Sequence, residues 1–285
     1  MYALYLSGEI MAGNPLQQYF RQPKIFISLP SHGVYNRPGA IDGDVEKIPV
    51  FGMTGMDEIM IKTPDALLSG ESTTSVIASC CLNIKDPWDL SSIDLELVLV
   101  AIRIATYGNE LPIIHTCPSC NAENEYSLDL NKFVEYYSQC HFDNKLVLKD
   151  LAITFKPLTY KETTTFALKN FELQQQLKQV LSIEDTLEKQ TVTNQIFRNL
   201  SVLKNEIFIA SIESVDLGTA KVDQRMYISE WLENCDAVVI DAISKHIQKN
   251  QDTWSLPSTP VTCTECNKES KVSVDLDPSS FFVNA

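Results

Sequence analysis

Between positions 93 and 104, apolar residues cover almost every side of a helical wheel: Ile93, Leu95, Leu97, Val98, Leu99, Val100, Ile102 and Ile104. A helix that is apolar all round is a buried one. The pattern therefore predicts a central buried helix from Ile93 to Tyr107, started by Ser91 or Ser92 and stopped by Gly108. Apart from Asp94 near its start, only Glu96 and Arg103 interrupt it, two turns apart on one side. They read as a narrow solvent edge; the other reading is a buried polar pair at a partner surface.

Upstream, Ile25–Leu29 reads as a strand ended by Pro30-Ser31-His32-Gly33, and Val45–Val50 as a second strand. Thr54-Gly55-Met56-Asp57-Glu58 looks like a helix start, with Thr54 as cap and acids at the positive end of the dipole. Pro64 should break or kink that helix, and Thr73–Leu82 is a short buried one. Residues 1–20 show no clear period and read as an arm, or as a strand that pairs with a neighbour.

Downstream, Leu146–Leu148 and Ala152–Phe155 are short strands, and Thr159-Tyr160-Lys161-Glu162 is a capping box. The next helix puts Phe166, Leu173, Leu177 and Val180 on one stripe. Ser182 caps another, carrying Ile196, Leu200, Leu203 and Ile207. Two long helices with a short break predict an antiparallel hairpin. Gly218 ends this region. A third helical stretch, about Asp223–Lys249, places Ile228, Trp231, Cys235, Val239 and Ala242 on one face, with His246 as the polar end of that stripe. The apolar tail Phe281-Phe282-Val283 should dock on its own lobe or on a neighbour.

Eight cysteines change this picture. Thr116-Cys117-Pro118-Ser119-Cys120-Asn121 and Thr262-Cys263-Thr264-Glu265-Cys266-Asn267 are both Thr-Cys-x-x-Cys-Asn. Each continues as x-Glu, a short polar stretch and Ser-apolar-Asp-Leu. Two residues between cysteines let one tight turn present both sulfurs to one edge of a tetrahedron. The residue after the second cysteine often turns left-handed, which Asn tolerates. Two such turns facing each other make a zinc ribbon, so Cys117, Cys120, Cys263 and Cys266 are the expected ligands of one structural Zn2+ per chain. A closed four-sulfur set leaves no open coordination position for catalysis.

The alternatives are a redox dithiol or a disulfide. Thioredoxin-type pairs open a helix, however, and polar strand-like sequence follows both pairs here. Closing the 142 residues 121–262 costs about 4.4 kcal/mol by the logarithmic loop term. Structural zinc contributes about 10–16 kcal/mol in small fingers, enough to offset it. His115, Cys140 and His141 lie near the first turn as substitute ligands, but read better as neighbouring or ordinary residues. Cys80, Cys81 and Cys235 sit among apolar residues and read as packing.

The elements and the paired turns together define an α+β fold. Residues 1–21 are an N-terminal arm, and 22–116 a mixed lobe. Residues 117–130 with 261–277 form the zinc ribbon, 131–260 a mainly helical insert, and 278–285 a tail.

At 285 residues and 44% hydrophobic, the composition is globular. No apolar run reaches membrane-spanning length, and the first residues lack the basic start of a signal peptide. A protein made in a reducing cytoplasm is expected. The formal net charge of -14, roughly -16 with four thiolates and one dication, repels phosphates and disfavours nucleic acid as a partner. No Gly-rich phosphate loop, His-Glu-x-x-His or Gly-x-Ser-x-Gly occurs. Ser31-His32-Gly33 lies near Asp42 and Asp44, but adjacency in sequence does not build a triad. The expected protein is not an enzyme.

A further set of residues carries a resemblance: Leu29-Pro30-Ser31-His32-Gly33-Val34-Tyr35, Ile48-Pro49-Val50, Thr54-Gly55-Met56-Asp57-Glu58 and Leu68-Ser69-Gly70. Asp94-Leu95, Ile102-Arg103-Ile104-Ala105-Thr106-Tyr107-Gly108 and Cys117-Pro118-Ser119-Cys120 follow in order. Over about residues 22–130, and through the second cysteine pair, the chain resembles the baseplate hub protein family of T-even-type contractile-tailed bacteriophages. The resemblance implies a virion or assembly role. Its partners would be other baseplate hub or wedge proteins and the tape measure protein, with no nucleic acid and no membrane. A transient assembly chaperone, a zinc-ribbon nucleic-acid regulator and a hub-associated hydrolase are the competing expectations.

Overall fold

The computed structural model describes residues 16, 19–62, 69–180, 186–273 and 281–282. The expected break at Pro64, the cap at Ser182, most of the arm, and the end of the second repeat lie outside these residues.

The fold is α+β, with helices set around small antiparallel sheets. Strands β1 (Ile25–Ile27) and β2 (Ile48–Val50) pair through Phe26 and Pro49. Helix α1 (Gly55–Ile61) starts at Thr54, whose hydroxyl accepts from the Asp57 amide while Asp57 accepts from the Thr54 amide. Helix α2 (Glu71–Cys80) buries Val76, Ile77 and Cys80. Helix α3 (Ser92–Tyr107) is the centre of this lobe, with Leu97, Val98, Val100, Ala101 and Ile102 inaccessible or nearly so.

Asp94 in the first turn of α3 explains the Ser31-His32-Gly33 sequence. Its buried carboxylate accepts from the Ser31 amide at 2.9 Å, the Ser31 hydroxyl at 2.5 Å and the Asn36 amide at 2.6 Å. Burial raises its pKa, against the pull of the Ser31 and Asn36 donors. His32 turns the other way, with Nδ1 at 2.6 Å from Glu46. These groups staple a turn to a helix and form no proton relay.

Close approach also restricts Gly52. A Cβ there would stand 2.8 Å from the Ala105 carbonyl oxygen of α3. Gly52→Ala should therefore cost about 1–3 kcal/mol, read as a lower denaturation midpoint at unchanged slope.

Strands β3 (Glu110–Thr116) and β4 (Glu123–Asp129) form a seven-residue ladder, and helix α4 (Asn131–Gln139) follows. Strands β5 (Lys145–Leu148) and β6 (Leu151–Phe155) open a four-stranded sheet. Helices α5 (Tyr160–Val180) and α6 (Thr186–Ser211) make the expected antiparallel hairpin, closed by Leu173, Val180, Ile196 and Leu203. The Thr159–Glu162 capping box forms in both directions.

Three expectations need correction. The sequence after α6 is not merely a terminator: β7 (Ile212–Asp216) and β8 (Lys221–Val222) complete the sheet in the order β5-β6-β7-β8. A register shift at Thr154/Phe155 skips Glu213, which hides the two-residue period. The single helix over 223–249 is two helices, α7 (Arg225–Asn234) and α8 (Ala237–Trp254). Cys235 and Asp236 between them are extended, and Asp236 takes the N-cap position of α8 without a side-chain cap hydrogen bond. Finally, Arg103 is not on a solvent edge: it is wholly buried. Nor does it pair with Glu96, which instead accepts the Tyr137 hydroxyl at 2.5 Å.

Arg103 meets the tail. Its Nη1 donates to the Phe281 carbonyl, and Phe281 and Phe282 are buried in the same apolar cluster as α3. The tail thus docks on its own lobe. A second cluster joins Ile153, Phe155 and Ile212 of the sheet to Ile228, Leu232 and Ile243 of α7 and α8. Strands β9 (Thr259–Thr262) and β10 (Glu269–Val272) then return the chain to β3 and β4.

Candidate metal centre

Each Cys-x-x-Cys turn is built by its own backbone. Cys117 N donates to Ala122 O at 2.9 Å and Asn121 N to Cys117 O at 2.9 Å. In the second turn, Cys263 N donates to Lys268 O at 3.0 Å and Asn267 N to Cys263 O at 3.0 Å. Asn121 and Asn267 take φ of 57° and 55°, the left-handed region predicted for that position. The sequence repeat is therefore also a repeat of hydrogen bonds. Each turn closes a hairpin, β3–β4 or β9–β10.

The hairpins face each other and bring together all four sulfurs, which lie within 4.8 Å of one another. Cys117 Sγ is 3.7 Å from Cys266 Sγ, and Cys120 Sγ 3.6 Å from Cys263 Sγ. These separations are far beyond a disulfide bond, about 2.05 Å. They match the edge of a tetrahedron of sulfurs around zinc, about 3.8 Å for a bond of about 2.3 Å. Cys117 and Cys263 are buried, Cys266 is half-buried, and Cys120 is exposed. The donor set and its spacing fit a structural dication of the zinc type.

The electrostatics agree. Backbone N–H groups of Ser119 and Cys120 lower the Cys117 pKa. Those of Cys266 and Glu265 help bring Cys263 down to about 6, against its desolvation. Cys120 receives the Ala122 N–H, yet desolvation and the three neighbouring sulfurs push it up to about 12. Cys117, Cys120 and Cys263 thus divide their protons unequally, and a bound dication would favour the thiolate form throughout the cluster.

Asn124 is the site residue that the repeat alone does not reveal. It is 4% exposed. Its Nδ2 donates toward Cys263 Sγ at 3.5 Å, and its Oδ1 accepts from the Thr264 amide at 2.9 Å and hydroxyl at 2.7 Å. A side chain from the first turn therefore holds the second. The visible signal is asymmetry, since the matching position in the other copy is Ser270. Ser270 Oγ lies 3.0 Å from His115 Nε2, so His115 bridges the hairpins outside the sulfur cluster. Cys140 donates to the Thr253 carbonyl, away from the cluster, and His141 is exposed.

These features define an α+β protein whose two Cys-x-x-Cys hairpins converge on a candidate metal site. A family described as T4 bacteriophage base plate protein matches residues 54–283, and the chain belongs to that family. The match takes in the helical insert and the resemblance segments from Thr54 onward, while Leu29–Tyr35 and Ile48–Val50 precede it. No curated protein and no solved structure matches the chain. Among the described residues, no helix is long and apolar enough to cross a membrane.

Proposed function

We propose that this protein is a structural component of the phage tail baseplate hub, working by protein–protein contacts and carrying one structural zinc. The observation that carries this reading is family membership across 54–283, in a chain whose four distant cysteines meet at one point. Cys117, Cys120, Cys263 and Cys266 would hold the zinc, which supplies a cross-link and no chemistry of reaction. The cross-link would clamp both ends of the insert, residues 131–260, against the mixed lobe at 22–116. The arm, ribbon and tail complete this division. The assembled body would offer a fixed surface to other hub or wedge proteins and to the tape measure protein. The net charge of -14 favours cationic protein surfaces over nucleic acid.

Two measurements test this. Elemental analysis of the purified chain should give one zinc per chain, and a metal-free, folded protein rejects the clamp. Mass spectrometry of mature virions should find the protein in the tail tip. Its absence there, with tails that fail to assemble without it, assigns the transient chaperone role instead.

A further inference from the structure

The four sulfurs meet across the hairpins. Cys117 Sγ lies 3.7 Å from Cys266 Sγ, and Cys120 Sγ 3.6 Å from Cys263 Sγ, with one member of each pair on each turn. The two pairs share no atom, so both can close at once. A disulfide needs about 2.05 Å, which leaves a gap of about 1.6 Å for two side chains to share. The hairpins also keep their register without the sulfurs. Asn124 Oδ1 accepts from the Thr264 amide and hydroxyl, the Tyr126 hydroxyl donates to the Thr262 carbonyl at 3.0 Å, and His115 Nε2 lies 3.0 Å from Ser270 Oγ. The facing sulfurs are therefore held close by contacts that no metal supplies.

Access singles out the same cluster. Cysteine oxidation follows exposure and thiolate character. Cys120 is exposed, and in a loaded cluster it is a thiolate. Cys80 and Cys81 are shut in the apolar core, where burial raises both pKa values. Cys140 and Cys235 are half-buried and donate to the carbonyls of Thr253 and Leu232.

We propose that the four cysteines are also a peroxide-responsive disulfide site, closing as Cys117–Cys266 and Cys120–Cys263, so that the hairpins stay cross-linked when no metal is held. The Cys120 thiolate attacks one peroxide oxygen, the O–O bond breaks, and hydroxide leaves a sulfenic acid behind. The Cys263 thiolate attacks that sulfur, forms the S–S bond and expels a second hydroxide. Two solvent protons turn both hydroxides into water. The sulfurs lose two electrons and the peroxide gains them. Cys117 and Cys266 repeat the step with a second peroxide, and the site then has no thiolate left for a dication. Such a change suits a particle built in a reducing cytoplasm and released outside it, a use that rests on the baseplate reading. The pairing itself rests on the sulfur geometry.

The full chain, reduced and zinc-loaded, is treated with a small excess of hydrogen peroxide. Released zinc is read with a chromophoric chelator, and unreduced peptides are sequenced by mass spectrometry. Zinc release should accompany the bridges Cys117–Cys266 and Cys120–Cys263, with Cys80, Cys81, Cys140 and Cys235 still thiols. With chelator present throughout, the oxidised chain should melt more than about 5 °C above the reduced one, because each bridge spans a long segment. Dithiothreitol should erase that gain. The bridges are mapped on the loaded, folded chain, so the map stands even if the reduced, metal-free chain does not fold. Any other pairing, above all Cys117–Cys120 with Cys263–Cys266, sulfinic acids in place of bridges, or no gain in Tm overturns the proposal. A chain that purifies without zinc yet forms the crossed bridges refutes the zinc reading alone. A zinc-loaded chain that forms bridges within its turns refutes this one alone.

Discussion

Cys263→Ser is expected to reduce bound zinc from one per chain to nearly none and to lower Tm by more than about 10 °C. Cys263 is buried and lies 3.6 Å from Cys120 Sγ, so its sulfur is central to the cluster. A structural zinc contributes about 10–16 kcal/mol in isolated fingers. Half of that, at about 2–4 °C per kcal/mol for domains of 150–250 residues, corresponds to about 10–32 °C. The loss is large because the proposed metal would close a loop of more than a hundred residues, and because Asn124 loses its sulfur acceptor as well. Cys235→Ser is the control. That cysteine is half-buried between α7 and α8, far from the cluster in its contacts, and should cost less than about 1 kcal/mol with zinc retained. Elemental analysis and thermal unfolding of both variants check the pair. Full zinc occupancy in Cys263→Ser would remove the four-thiolate assignment.

The site was legible in the sequence because its chemistry is local. Two residues between cysteines and an Asn after them determine a turn without help from the rest of the fold. The repeat doubles the signal, and only the cross-link between the copies needs tertiary structure. Asn124 was not legible, since its role exists only once Thr264 faces it. The hairpin helices α5 and α6 were readable for the same reason of local period, as was the largely apolar α3. The β7–β8 hairpin was not. Its first strand follows α6 without a break, and a bulge spoils its alternation. Arg103 misled for a different reason. Periodicity assigns a charged residue to solvent, but a partner arriving from a distant segment overrides it, and here that partner is the tail.

The tail gives the second large expected effect. Phe281 and Phe282 are 3% and 1% exposed and pack edge to face at 5.3 Å inside the α3 cluster. Phe282→Ala should destabilise by about 3–5 kcal/mol, the usual cost of emptying a well-packed aromatic site. Arg103 makes a contrasting case. Its guanidinium lies 5.2 Å from the Phe281 ring and 5.4 Å from the Tyr107 ring. Burial lowers its pKa, and its Nε and Nη2 have no hydrogen-bond partner among the described residues. Arg103→Met removes a desolvated cation, which is favourable. It also strips the Phe281 carbonyl of its donor, at about 1–3 kcal/mol. The two terms oppose, so the net change should stay below about 1.5 kcal/mol. Denaturant unfolding of the two variants separates the explanations. If apolar burial holds the tail, Phe282→Ala is by far the more damaging. If Arg103→Met matches it, the guanidinium pins the tail and the rings merely fill space around it.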